Sequence, residues 1–192
     1  MNSFLEKGYV HVPGLFDKET AFLMSEYFEN KLARGEIQTD QGKIFDEDHT
    51  AINYYADPLV EVLLKKATPF VSKEVGEELA PTYSFFRIYR AGEKLSKHTD
   101  RAACEISVTV AVAFVGKPNK IYMQARNQKE NSFTLSPGDG VIYKGCEIVH
   151  WREALEDEQM VIQFMLHYVK KNGPHANLIF DERPRLGAKT CQ

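Results

Sequence analysis

The hydrophobic period changes along the chain, and each change marks a different kind of element. Gly8 to Phe16 alternates at Val10 and Val12 and ends near Pro13-Gly14, which reads as a short strand and turn. Asp17 then suits a helix N-cap, because its carboxylate can accept backbone N–H bonds from the first turn. In that helix Phe22, Leu23, Tyr27, Phe28 and Leu32 fall on one face, and Gly35 is a natural stop. Glu36 to Thr50 is polar and irregular. A second helix starts at Asp57-Pro58, a cap followed by proline at the first helical position. Leu59, Leu63, Ala67 and Phe70 form one stripe, with Val60, Leu64, Val71 and Val75 beside it. Pro69 falls inside this run and predicts a kink or split at Thr68, and Gly76 closes the segment.

After Pro81 the period becomes alternating. Tyr83 to Tyr89 reads as a strand. Cys104 to Phe114 puts Cys104, Ile106, Val108, Val110, Val112 and Phe114 on one face. Shorter strands are predicted at Ile121–Gln124, Ser132–Leu135, Val141–Lys144 and Ile148–Trp151, and a last one at Met160–Val169. Pro137-Gly138-Asp139-Gly140 is a turn signal between two of them. Helices first and short strands later predict an α+β chain, with helices packed on an antiparallel barrel or sandwich. The expected division is one domain over 1–192, helical over about 17–76 and β over about 82–169.

Composition narrows the function classes. The 192 residues are 43% hydrophobic and 27% charged, an ordinary globular balance. A formal net charge of −3 lacks the basic footprint of a nucleic-acid binder. Cys104, Cys146 and Cys191 are odd in number and show no Cys-x-x-Cys spacing, which argues against structural zinc or a disulfide framework. No secretory leader or membrane-length apolar run is seen, so the expected location is cytoplasmic, with no membrane partner.

The chemically loaded segment is Lys97-His98-Thr99-Asp100-Arg101. Side chains at i and i+2 of an extended chain share one side, so an imidazole and a carboxylate can meet one ion. His150, fifty residues after Asp100 and beside a predicted strand, is the best third ligand. Two histidines and one carboxylate on one face of an octahedron leave positions open, an arrangement suited to non-haem Fe(II). His-x-Asp alone occurs widely by chance; the β segments around it and the distal histidine make it a candidate site.

The run Tyr83-Ser84-Phe85-Phe86-Arg87-Ile88-Tyr89-Arg90-Ala91-Gly92-Glu93, leading to His98-Thr99-Asp100, resembles the prolyl-4-hydroxylase-like branch of the Fe(II)/2-oxoglutarate dioxygenases. Ser136-Pro137-Gly138-Asp139-Gly140-Val141-Ile142-Tyr143 is similar to that branch's Gly-Asp strand entry, with His150 as its distal histidine. Gly8 to Phe16 resembles the opening of many members. The resemblance implies a double-stranded β-helix, jelly-roll or cupin-like, with the N-terminal helices packed outside. It implies Fe(II) held by His98, Asp100 and His150, 2-oxoglutarate and dioxygen as cosubstrates, and ascorbate as an optional addition. The implied outcome is hydroxylation of a prolyl or other protein residue, or of a small molecule. Asp100 argues against related halogenases, whose iron lacks the carboxylate. The competing readings are a jelly-roll ligand-binding or sensor protein that kept the metal residues, and a cupin-type metalloenzyme that does not use 2-oxoglutarate.

The pattern departs from the branch at one point. Members carry Lys or Arg on the last barrel strand, for the far carboxylate of 2-oxoglutarate, but Glu158 to Met165 contains no basic residue. Either another strand supplies the cation or the cosubstrate differs. Arg152, two residues beyond His150, is assigned first and Arg87, two residues before Tyr89, second; Tyr89 is expected to help with its hydroxyl. Arg101 is a candidate neighbour of the metal or substrate, and Tyr143 and Tyr168 are weaker cavity candidates. Trp151 alternates away from His150 and reads as structural. His11, His49, His167 and His175 are read as packed or exposed histidines, though His167 could line the pocket.

Overall fold

The computed structural model describes residues 3–37, 51–118, 120–125 and 129–188. A short helix α1 (Ser3–Lys7) leads into strand β1 (Tyr9–Val12). Helix α2 (Lys18–Ala33) starts as expected at Asp17, whose carboxylate accepts the Thr20 N–H at 2.7 Å. Its buried face differs from the expected one. Ala21, Met24 and Phe28 are buried, while Phe22 and Leu23 are 67% and 60% exposed. Phe28 meets Phe86 of the sheet, with ring centroids 4.2 Å apart. The expected irregular stretch to Thr50 lies largely outside the described residues, as does His49.

Strand β2 (Ile52–Tyr55) precedes α3 (Pro58–Val75), which Asp57 caps through the Leu59 and Val60 N–H groups. Pro69 does not split α3; it runs unbroken to Val75 and ends at Gly76, in the left-handed region at φ 76°. The Thr68 hydroxyl, next to the proline, donates to the Leu64 carbonyl at 2.9 Å. Phe70 is partly exposed, and the buried stripe is centred on Val60, Leu64, Val71 and Val75.

The remaining strands are β3 (Leu79–Arg90), β4 (Leu95–His98), β5 (Ile106–Val115), β6 (Lys120–Gln124), β7 (Glu130–Thr134), β8 (Gly140–Tyr143), β9 (Val149–Arg152) and β10 (Met160–Lys170). They form two antiparallel sheets, ordered β1-β8-β5-β10-β3-β2 and β4-β9-β6-β7. This is a double-stranded β-helix of the jelly-roll type.

Strand parity separates two environments. Phe86, Ile88, Val108, Val110, Ile162 and Phe164 face outward into the core shared with α2 and α3. The alternate positions face the space between the sheets. The expected face of β5 breaks near its end. A bulge at Val112 shifts the register against β10, and Phe114 packs with Tyr89 and Val161 instead of the helices. Cys104 lies just before β5, in a short 3₁₀ turn over Ala102–Cys104.

Candidate functional site

The site begins with a cross-strand pair. His98 at the end of β4 lies directly opposite His150 on β9, with ring centroids 4.3 Å apart. Asp100 follows two residues later, its N–H bound to the Gly145 carbonyl at 2.8 Å. Gly145 is required there: a Cβ would sit 2.6 Å from Asp100 Oδ2 and 2.8 Å from the Ser107 hydroxyl.

Hydrogen bonds fix the orientation of all three side chains. His98 Nδ1 lies 2.9 Å from the Ser96 carbonyl, and His150 Nδ1 lies 3.0 Å from the Ile148 carbonyl. A carbonyl only accepts, so each Nδ1 carries the proton and each Nε2 presents a lone pair. Both Nε2 atoms stand 3.6 Å from Asp100 Oδ1. The other carboxylate oxygen accepts the Ser107 hydroxyl at 2.7 Å. Burial opposes ionisation of Asp100, but the facing His98, His150 and His167 and the Ser107 bond hold its carboxyl well below the usual range. Burial likewise pushes His150 down, which keeps it neutral, the form that ligates a metal.

The three expected residues therefore converge, with ligand atoms within 4.8 Å of one another. Two imidazole lone pairs and an ionised oxygen aimed at one point are the donor set of a divalent cation. Asp100, Cys104 and His167 also cluster within that distance. Hydrogen bonds occupy that second set: Ser107 links Asp100 to His167, and Cys104 Sγ sits 3.0 Å from the Tyr83 hydroxyl.

These residues open onto a cavity of about 490 Å³ between the sheets. One region of its wall carries Arg87, Tyr89, Thr109 and Gln163. Arg87 donates through Nε to Asn53 at 2.5 Å and reaches the Tyr89 hydroxyl at 3.3 Å. The Thr109 hydroxyl is buried and has no hydrogen-bond partner among the described residues. Arg152, first in the expected order, does not line this cavity. It is buried, gives Nη2 to Gln163 at 2.7 Å, and lies 5.3 Å from the centre of the Tyr89 ring. The parity argument turned it inward, but Gln163 holds it behind the lining.

Arg101 lines the cavity and makes a two-pronged pair with Asp181 at 2.9 and 2.7 Å. Tyr143 also lines it, its hydroxyl 3.4 Å from His150 Nε2. Tyr168 does not: it faces α3 and donates to the Leu64 carbonyl. Trp151 points away from the site and stacks on Tyr122. His11 pairs with Asp139 at 3.7 Å, outside the cavity, and His175 is half-buried before the C-terminal 3₁₀ turn. His167 is buried, faces the cavity and contacts Ser107. Sequence reasoning passed over Ser107, Thr109 and Gly145. Ser107 and Thr109 alternate with the apolar positions of β5 and carry no local signal of their own.

No family model and no curated protein matches the chain. Solved structures do. The epimerase SnoN, in complex with Fe3+, alpha-ketoglutarate and nogalamycin RO, aligns at TM-score 0.74 with 14% identity, over 98% of this chain and 90% of that one. A Pseudomonas putida prolyl-4-hydroxylase aligns at TM-score 0.66 with 12% identity, over 85% and 94%. A Trichoplax adhaerens prolyl hydroxylase, solved with a hypoxia inducible factor peptide fragment, aligns at 0.70 with 10% identity, over 88% and 87%. What these chains share with this one is the fold.

Proposed function

We propose that this protein is an Fe(II)- and 2-oxoglutarate-dependent oxygenase that hydroxylates its substrate. The observation that carries the reading is one cavity with two complementary features. A two-histidine, one-carboxylate donor set lies in it, beside a buried wall made of Arg87, Tyr89 and the unpartnered Thr109 hydroxyl. The donor set fits a first-row divalent ion with positions left for other ligands. The wall fits a carboxylate, because burying an anion is costly without a cation and donors waiting for it. His98, Asp100 and His150 would hold the iron. Arg87, with Tyr89 and Thr109, would hold the far carboxylate of 2-oxoglutarate, and Arg152 would support Tyr89 and Gln163 from behind. Bound iron with 2-oxoglutarate and dioxygen supplies the oxidising power for attack on an unactivated C–H bond.

The chain's own residues do the rest. The carbonyls of Ser96 and Ile148 fix the tautomers of the two histidines. Ser107 holds Asp100 so that one carboxylate oxygen is turned away from the Nε2 atoms and the other toward them.

The experiment is a calorimetric titration of 2-oxoglutarate without oxygen, with and without Fe(II). Metal-dependent binding near one equivalent supports the reading. Absence of 2-oxoglutarate binding in the iron-loaded protein overturns it and favours a sensor or a different metalloenzyme.

A further inference from the structure

The cavity wall beyond the metal residues and the carboxylate end includes Tyr83, Phe85, Met165, Cys104, Arg101 and His167. Three of these are apolar or aromatic surface. Arg101 is already engaged through both terminal nitrogens by Asp181, which the Tyr55 hydroxyl also contacts at 2.5 Å. Phe180, Asp181 and Glu182 all have positive φ, so a constrained backbone holds Asp181 in this pairing. The charge of Arg101 is thus matched within the protein, and this wall offers a ligand no uncommitted cation among the described residues.

His167 differs from its neighbours. Ser107 Oγ has one proton and lies 2.7 Å from Asp100 Oδ2, 2.9 Å from His167 Nδ1 and 3.3 Å from the Cys104 carbonyl. The shortest of these partners is an ionised oxygen that only accepts, so the hydroxyl proton goes there. Nδ1 of His167 must then donate to Ser107, which places the lone pair on Nε2. Burial keeps the ring neutral, pushing it down to about 4. Nε2 makes no hydrogen bond among the described residues and is not sealed from solvent, so it opens onto the cavity that the ring lines. Ser107 lies opposite His167 in register on β5, while on β3 two residues, Thr82 and Tyr83, oppose it across a bulge. The Tyr83 ring lies against the imidazole, with centroids 4.6 Å apart.

We propose that His167 Nε2 is the hydrogen-bond acceptor that orients the substrate, and that the substrate is a compact, uncharged organic molecule presenting a hydroxyl or N–H beside an apolar or aromatic surface. The substrate class rests on the oxygenase reading; the acceptor itself does not. A carboxylate is disfavoured at this wall because it would meet a lone pair and a cation already paired. His167 is a positioning residue, tied through Ser107 to the carboxylate of Asp100.

The test uses three matched probes, 4-methylphenol, toluene and 4-methylbenzoate, titrated into the full chain both metal-free and loaded with Fe(II) and 2-oxoglutarate without oxygen. The proposal expects 4-methylphenol to bind about tenfold tighter than toluene, the worth of one good buried hydrogen bond, and 4-methylbenzoate no tighter than toluene. His167→Gln keeps an acceptor near the Nε2 position and should retain the preference. His167→Asn keeps a donor for Ser107 but removes that acceptor and should lose it. Nitrogen NMR of the unaltered protein at neutral pH should show His167 as the Nδ1–H tautomer, a readout that needs no variant to fold. Protein that ranks the probes this way yet takes up no 2-oxoglutarate removes the oxygenase reading and keeps the acceptor. Equal binding of toluene and 4-methylphenol, no binding of 4-methylphenol, or an Nε2–H or doubly protonated ring overturns the proposal.

Discussion

Ser107 donates its only hydroxyl proton to Asp100 Oδ2 at 2.7 Å, leaving Asp100 Oδ1 facing the Nε2 atoms of His98 and His150. One small side chain on β5 thereby aims the carboxylate of the candidate metal centre. Ser107→Ala should lower divalent-metal affinity about 10–100-fold, the usual cost of losing a partner that orients a ligand. Asp100→Ala should lower it further. A competition titration against a metal-binding dye reads both; unchanged affinity in either variant contradicts the assignment.

Arg87 and Arg152 should separate by phenotype. Arg87→Ala removes the cation at the Tyr89–Thr109 end of the cavity, so the apparent KM for 2-oxoglutarate should rise at least tenfold with little change in metal affinity. Arg152→Ala leaves Gln163 without its 2.7 Å donor and opens space beside Tyr89, so it should chiefly lower the melting temperature. Steady-state kinetics beside thermal unfolding distinguishes them, and the reverse pattern restores Arg152 as the cosubstrate residue.

Helix α2 gives a pure stability contrast. Phe28 is fully buried against Phe86, and Phe28→Ala should cost about 3–5 kcal/mol. Phe22 is largely exposed, and Phe22→Ser should change stability by no more than about 0.5 kcal/mol. Denaturant midpoints decide. A large loss at Phe22 would mean that its face of the helix is covered.

The pH dependence of stability follows from buried histidine. In the unfolded chain a histidine protonates near pH ~6.5. Burial pushes His167 down to about 4 in the fold. The unfolded state therefore takes the proton first. Stability is full above pH ~6.5 and falls as pH drops toward about 4, by at most ~1.4 kcal/mol per unit for this residue. His150, also lowered by burial, adds in the same direction. Urea unfolding of metal-free protein between pH ~6.5 and about 4, the window set by those two values, should show this slope, and His167→Asn should reduce it. An unchanged slope in the variant would place the proton uptake elsewhere.

The legible parts of the chain were those governed by short-range rules. Asp17 and Asp57 cap their helices because a carboxylate two or three residues from an N–H can hardly miss it. His98 and Asp100 share a side because strand parity is local, and glycine-rich turns flank the strands that bring His150 to them. Long-range choices were not legible. Which face of α2 is buried depends on Phe86, almost sixty residues away, and the last residues of β5 change face at a bulge that periodicity does not encode. Strand spacing puts Arg152 ahead of Arg87, and the positions of Gln163 and Asn53, which reverse that order, lie on other strands. Ser107 and Thr109 looked like ordinary polar positions on a half-buried strand because Asp100 and His167, which Ser107 meets, and the cavity wall that Thr109 joins come from other segments of the chain.

The most direct test of the account is to incubate the purified protein with Fe(II), 2-oxoglutarate and dioxygen and to measure succinate. Iron-dependent succinate is expected, lost in His98→Ala and restored to Arg87→Ala by raised 2-oxoglutarate. An iron-loaded, 2-oxoglutarate-bound protein that makes no succinate, with or without candidate substrates, would contradict it.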